Sequence, residues 1–471
     1  MGRMDSEPRK RGAPQVTDGP GSTPDSGWAA EPVPTVRGGL AATVAQWVEV
    51  HRLAVLGREP TIARDAGVRV TRMWLRRSRF ADVAALSNAT LTLGLDADAL
   101  YHLGWAQLST GQPRQALANY ERALNLYREA GYRYNEAATL NNIGGVYDNV
   151  GDRQRALAYY MEALPVLREI GDRKGEATAL TNIGTVYGQR GERKQALACY
   201  VEALTIRQGI DDRAGEATTV ANIGALHEGI GDHERALASY EQALPIFREV
   251  GNRAGEATAL NNIGLVYDRL GDHERALAYY AEALPITREV GDRAVEAATL
   301  TNIGALYGTL GDHRRALASY EQALPITREA GNRAGEATAL NNIGLVYDRL
   351  GNHERALAHL AEALAIVREV GNRAGEATTR YNIGEIQRRQ GDFAGAKDSL
   401  DGVLKILRAI GDPRMEVKVS STMAFVLLSM LRVDEAIEFQ RRAVVLAERT
   451  SHPSLNQMRA ILDQLQRMRR R

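Results

Sequence analysis

Residues 251–290 read GNRAGEATALNNIGLVYDRLGDHERALAYYAEALPITREV, and this stretch decides the fold. Ala257, Leu260, Ile263, Gly264 and Tyr267 recur at steps of three and four, which draws one apolar stripe along a helix. Gly271 follows as a residue suited to the left-handed backbone that ends a helix, and Asp272 offers a carboxylate to cap the next one. Ala276, Leu277, Tyr280, Ala283 and Leu284 then form a second stripe. Small side chains at Gly264, Ala276 and Ala283 let two helices approach closely, while Tyr267 and Tyr280 fill the space between them. Gly291 closes a predicted helical hairpin.

The hairpin recurs. The triplet Asn-Ile-Gly begins at Asn142, Asn182, Asn222, Asn262, Asn302, Asn342 and Asn382, a constant interval of 40 residues. Gly111, Gly151, Gly191, Gly231, Gly271, Gly311, Gly351 and Gly391 keep the same step. A fixed period in this range marks stacked units, none of which can bury its apolar face alone. Residues 231–290 and 311–370 are nearly identical, so a duplicated pair of units with two similar subsites is expected. Pro165, Pro245, Pro285 and Pro325 fall late in second helices, where a proline removes one backbone bond and bends the helix.

The positions Leu260, Ile263-Gly264, Tyr267, Ala276 and Tyr280 resemble the tetratricopeptide repeat, and the likeness recurs over about 320 residues. It implies an all-α fold, an α-solenoid of stacked helical hairpins wound as a right-handed tetratricopeptide superhelix. The usual period is about 34, and the six extra residues are expected to lengthen the second helix and its loop. The longer form, with Gly-Asn-Arg-Ala-Gly-Glu-Ala at 251–257, is similar to repeats of Pins-type spindle-orientation proteins and to repeat arms of bacterial signalling ATPases.

Around the array the chain is organised as follows. Residues 1–37, rich in Pro, Gly, Ser, Asp and Arg, lack the aliphatic content for a core and are expected to be disordered. Residues 38–95 form a helical N-terminal cap, a divergent repeat or a helix-turn-helix. Residues 96–415 hold eight tandem repeats, and 416–471 a degenerate repeat with a capping helix.

Composition narrows function. A net charge of +1 with 25% charged residues gives no bulk bias toward nucleic acid or membrane. Cys199 is the single cysteine, so an intrachain disulfide and a cysteine-based zinc site are excluded. No run approaches about 18 apolar residues, and the first 30 residues lack the apolar core of a signal peptide, so a cytoplasmic protein is expected. No nucleophile–base pair, phosphate loop or zincin motif emerges, which points away from an enzyme, a cofactor or a metal. His233, His273, His313 and His353 form a column, but equivalent atoms on stacked helices lie about 8–10 Å apart, too far to share a zinc. They are expected at the surface.

The best functional signal is the asparagine column. Leu260 and Ile263 point into the hairpin, which sets Asn262 at its edge, toward the inner surface. An amide there can donate to and accept from the backbone of an extended ligand. The resemblance carries that role, known for the residue before the Leu-Gly pair, to Asn142, Asn182, Asn222, Asn262, Asn302, Asn342 and Asn382. Bonding to the neighbouring repeat, a stacking role, is the alternative. Flanking positions supply positive charge toward the C-terminal end through Arg269, Arg349, Arg388 and Arg389, which suits a protein or peptide segment acidic in that half. The basic set with which chaperone-binding relatives hold a terminal carboxylate is not present.

Residues 59–79 admit two readings. Ile62, Ala63, Ala66, Gly67, Val68 and Met73 resemble a helix-turn-helix with Gly67 in its turn, and Arg64, Arg69, Arg72, Arg76, Arg77 and Arg79 add charge for phosphates. Alternatively Trp74 takes the Tyr place and Ser78 the helix-end place of a capping repeat. The leading expectation is a non-enzymatic scaffold holding an extended partner in the groove. The alternatives are a peptide-responsive transcriptional regulator with a DNA-binding N-terminal unit, or a sensor arm partnering a signalling ATPase.

Overall fold

The computed structural model describes residues 43–75 and 77–469. The disorder expected for residues 1–37 and the role considered for Arg76 lie outside the described residues. The described residues form helices joined by short turns, with no strand among them. In order these are α1 (Val44–Leu56), α2 (Pro60–Leu75), α3 (Phe80–Leu91), α4 (Ala97–Ser109), α5 (Pro113–Ala130), α6 (Arg133–Asn149), α7 (Arg153–Ile170) and α8 (Arg173–Gln189). There follow α9 (Arg193–Gly209), α10 (Arg213–Gly229), α11 (His233–Glu249), α12 (Arg253–Leu270), α13 (His273–Val290), α14 (Arg293–Thr309) and α15 (His313–Glu329). The last are α16 (Arg333–Arg349), α17 (His353–Glu369), α18 (Arg373–Arg389), α19 (Phe393–Ile410), α20 (Pro413–Ser429), α21 (Val433–Arg449) and α22 (Leu455–Arg469).

The chain divides into a compact unit ending at Val266 and another beginning at Tyr267. In the first, α4/α5, α6/α7, α8/α9 and α10/α11 pack as hairpins, and α5, α7 and α9 also meet the next first helix. In the second, α14/α15, α16/α17, α18/α19 and α20/α21 do the same, and α22 packs on α21. The protein is thus an α-solenoid of stacked hairpins.

The turn chemistry is local. Gly271 has φ 81°, the left-handed cap read from the sequence. The Asp272 carboxylate accepts from the Arg275 backbone N–H at 3.2 Å, capping α13. Close approach within hairpins depends on the glycine of Asn-Ile-Gly. A Cβ built on Gly304 would stand 2.8 Å from the Tyr320 ring. The proline-bearing helices α7, α11, α13 and α15 continue past their prolines.

The six extra residues are not placed where expected. Helices α14, α15, α16 and α17 are 17 residues each, and the turns between them are equally short. Both helices of a hairpin share the added length, because a tight glycine turn at each end leaves nowhere else for it.

A charged seam crosses the turns from second to first helices. Glu336, 4% exposed, accepts from Arg328 Nε at 2.8 Å and from Arg333 Nη1 at 2.6 Å. The same two arginines reach Glu362 and Glu369 on α17, each at 2.5 Å. In the first unit Arg168 joins Glu176 at 2.8 Å and Glu202 at 2.6 Å. Burial by itself would raise the Glu336 pKa, but the hydrogen bonds from Arg328 and Arg333 outweigh it and hold the carboxyl below its usual range.

At the N-terminal end, α2 runs unbroken through Gly67, which faces His51, Leu86 and Thr90. The turn that a helix-turn-helix would place at Gly67 is absent, since a glycine flanked by good packing contacts can stay helical. Helix α2 instead packs against both α3 and α4, as the first helix of a hairpin does.

Candidate functional site

In the first unit, Asn142 and Asn182 are half-buried, while Asn222 and Asn262 are buried. Asn142 Nδ2 donates to the Tyr101 hydroxyl at 2.8 Å, 41 residues earlier in the preceding hairpin. Asn262 is 0% exposed; its Oδ1 accepts from Asn261 Nδ2 at 3.3 Å, and its own Nδ2 has no partner.

In the second unit, Asn302 is half-buried and Asn342 and Asn382 are buried. Asn382 Nδ2 donates to Asn341 Oδ1 at 2.9 Å, again across 41 residues. Asn342 Nδ2 is buried with no partner. Thr301, one such step before Asn342, spends its hydroxyl hydrogen on the Ala297 carbonyl at 2.7 Å. The column is therefore less open than an isolated hairpin implies: Asn222, Asn262, Asn342 and Asn382 are covered rather than water-facing. Side-by-side packing of successive first helices covers them, and one hairpin's sequence does not display that neighbour.

The 41-residue step also organises the charges. Arg389 Nη1 meets Asp348 Oδ2 at 2.7 Å, and His353 Nδ1 meets the other oxygen of Asp348 at 3.0 Å. Arg388 pairs with Glu385 at 3.1 Å and lies 5.0 Å from the Phe425 ring centroid. Arg349 is exposed, and its register partner is Gly308, which has open space where a Cβ would stand. Arg269 is half-buried. The positive end of the face is thus partly neutralised from within.

His233, His273, His313 and His353 begin α11, α13, α15 and α17 and are half-buried rather than exposed. Among the described residues no group of three or more His, Cys, Asp or Glu side chains is placed to hold a metal ion. None of their helices is long and apolar enough to cross a membrane. Of the arginines considered for phosphates, Arg64 pairs with Asp96 at 2.9 Å, Arg79 pairs with Asp82 at 2.7 Å, and Arg69 lies 4.7 Å from the centre of Trp47.

Paired helices at a constant period, with the glycine of Asn-Ile-Gly against a tyrosine at Gly144, Gly184, Gly224 and Gly304 and against leucine at Gly344 and Gly384, define an α-helical repeat protein. The tetratricopeptide repeat model matches residues 95–169, 135–209, 175–249, 213–289, 255–329 and 335–409, and the chain belongs to that family. No curated protein matches it. Among solved structures it is similar to the signal transduction ATPase with numerous domains from Pyrococcus horikoshii that has a tetratricopeptide repeat sensor. That match has 17% identity and a TM-score of 0.54, over 74% of this chain and 54% of that one, so this chain spans about half the ATPase. The apo quorum sensor NprR from B. thuringiensis matches at 16% identity and TM-score 0.53, over 69% of this chain and 97% of that one. BtubC from P. vanneervenii reaches 25% identity with a TM-score of 0.42, over 46% of this chain and 92% of that one.

Proposed function

We propose that the chain is a non-catalytic, cytoplasmic scaffold that takes up an extended peptide or protein segment along the first helices of its hairpins. Asn142, Asn182, Asn222, Asn262, Asn302, Asn342 and Asn382 mark the path in each unit. Arg269, Arg349, Arg388 and Arg389 bias the C-terminal half toward an acidic segment. Residues 38–95 serve as the N-terminal cap of the array and 416–471 as its closing repeat.

One observation carries this reading. Asn262 and Asn342 each bury an Nδ2 donor that has no acceptor. A buried donor left unpaired costs about 1–3 kcal/mol, so a backbone carbonyl recovers that free energy where binding moves aside the neighbouring first helix that covers the amide.

The likeness to an ATPase with a tetratricopeptide repeat sensor favours a second reading, in which the bound segment belongs to a signalling partner and the chain acts as its sensor arm. The DNA-bound regulator loses its main support, because α2 has no break at Gly67.

Affinity capture from native extract with mass spectrometry, followed by calorimetric titration of the identified region as a synthetic peptide, tests the scaffold. Binding by a linear segment supports it. A partner that binds only as a folded domain, with no active linear segment, contradicts it.

A further inference from the structure

We infer that the turn joining α9 to α10 is a hinge built into the first unit, which opens locally while the flanking helices α8 and α11 stay folded.

Where a second helix hands over to the next first helix, this unit repeats one set of anchors. An aromatic or aliphatic side chain plugs the end of the second helix, and Tyr127, Leu167 and Phe247 are each at most 2% exposed. The next residue is an arginine that donates to the buried glutamate of the following helix. Arg128 reaches Glu136 at 3.0 Å, Arg168 reaches Glu176 at 2.8 Å and Arg248 reaches Glu256 at 2.9 Å. Glycine then takes the left-handed turn, with φ 71° at Gly131, 74° at Gly171 and 68° at Gly251. Arginines on both sides of the turn also tie it to the next second helix, Arg128 to Glu162 and Arg133 to Glu169, each at 2.5 Å.

At the end of α9 every one of these anchors is altered. Arg207 occupies the apolar place and is 5% exposed. Its Nη1 bonds Asp212 at 2.8 Å, and its Nε has no partner. Gln208 replaces the arginine, so Glu216 accepts from a neutral amide at 3.0 Å, whereas a charge-assisted bond is roughly twice as strong. Gly209 replaces the glutamate and removes the carboxylate that Arg173 would meet, at the spacing that joins Arg133 to Glu169. Gln242 stands opposite Gln208 in sequence register, where Arg168 finds Glu202. Asp211 adopts φ 57°, a conformation glycine holds without the crowding of a Cβ.

The buried Arg207–Asp212 pair does not replace what is lost, because desolvating two charges consumes most of the gain from their attraction. Arg213 still holds Glu216 and meets Glu249 at 3.1 Å, so the turn is weakened and not undone. In a solenoid each hairpin touches only its neighbours. A weak turn therefore opens by itself, without unfolding the array.

Hydrogen exchange of the full-length protein at pH 7, read by mass spectrometry, tests the hinge. Protection of the backbone amides in residues 203–216 should be about tenfold or more below that in 123–136 and 163–176, with α8 and α11 still protected. The variant Arg207→Leu/Gln208→Arg/Gly209→Glu/Asp211→Gly gives this turn the residues of the α7–α8 turn. It should raise protection in 203–216 to the level of 163–176. Equal protection at the three turns of the parent would overturn the inference. So would a loss of protection shared by α8 and α11, or a fast turn that the variant leaves fast.

Discussion

Asn382 donates its amide hydrogen to Oδ1 of Asn341 at 2.9 Å, whereas Asn342, the same column one repeat earlier, has no acceptor for its own. One residue type at one register position thus has two energetic roles. Asn382→Ala should cost about 0.5–1.5 kcal/mol, the net worth of an intramolecular hydrogen bond. Asn342→Ala should be neutral or stabilising, since it deletes a donor that was buried unpaired. Urea denaturation of the two single variants makes the comparison. Equal losses would mean that the 41-residue register carries no stability.

The glycines divide in the same way. Gly304→Ala would drive a Cβ to 2.8 Å from the Tyr320 ring, an overpacking change expected to cost about 1–3 kcal/mol. Gly308→Ala, four residues on in α14, meets open space and should gain about 0.5–1 kcal/mol from helix propensity. Thermal melts that moved in the same direction for both would contradict the packing described for this hairpin.

Acid should act in two windows. Burial pushes the His102 pKa down to about 4 from an ordinary 6.5, and burial lowers that of His51 as well. The unfolded chain then binds protons that the folded N-terminal helices refuse, so stability there falls as pH drops below about 6.5 toward 4. Glu336 and Glu376 are held below the ordinary 4.5, arginine hydrogen bonds outweighing burial in both. Their contribution is full above that value and drains away as pH falls through their lower folded pKa. Hydrogen exchange between pH 7 and pH 3 should show residues 43–103 opening first, with the hairpins around α16 and α18 following only below about pH 4.5. Simultaneous opening of both regions would refute this order.

Much of this architecture is legible in the sequence because the turns are local. Gly271 and Asp272 specify a cap by their own chemistry, and Leu260, Ile263 and Tyr267 give the helix face by spacing alone. The candidate face is less legible. The burial of Asn222, Asn262, Asn342 and Asn382 depends on a neighbouring helix, and a reading confined to one hairpin places them in water. The pairs Asn341–Asn382 and Asp348–Arg389 were present in the sequence as a 41-residue step, one more than the period of 40, and only helix packing gives that offset meaning. Gly67 left two readings open because a glycine has the composition of a turn, while its contacts with His51, Leu86 and Thr90 are invisible in sequence.

With Arg64, Arg69 and Arg79 engaged by Asp96, Trp47 and Asp82, DNA binding by residues 59–79 should be weak, salt-sensitive and indifferent to sequence. Selection from a random DNA library should return no motif. A defined motif would restore the regulator.

The central claim, that the asparagine column holds the backbone of an extended partner, is tested most directly by one paired measurement. Asn262→Ala/Asn342→Ala and the parent are compared for affinity toward the captured partner segment and for melting temperature on the same preparation. Two hydrogen bonds of about 0.5–1.5 kcal/mol each amount to a loss of affinity of about five- to 150-fold, with the melting temperature lowered only by the loss of the Asn261–Asn262 hydrogen bond. Unchanged affinity, or a loss that only follows early melting, would contradict it.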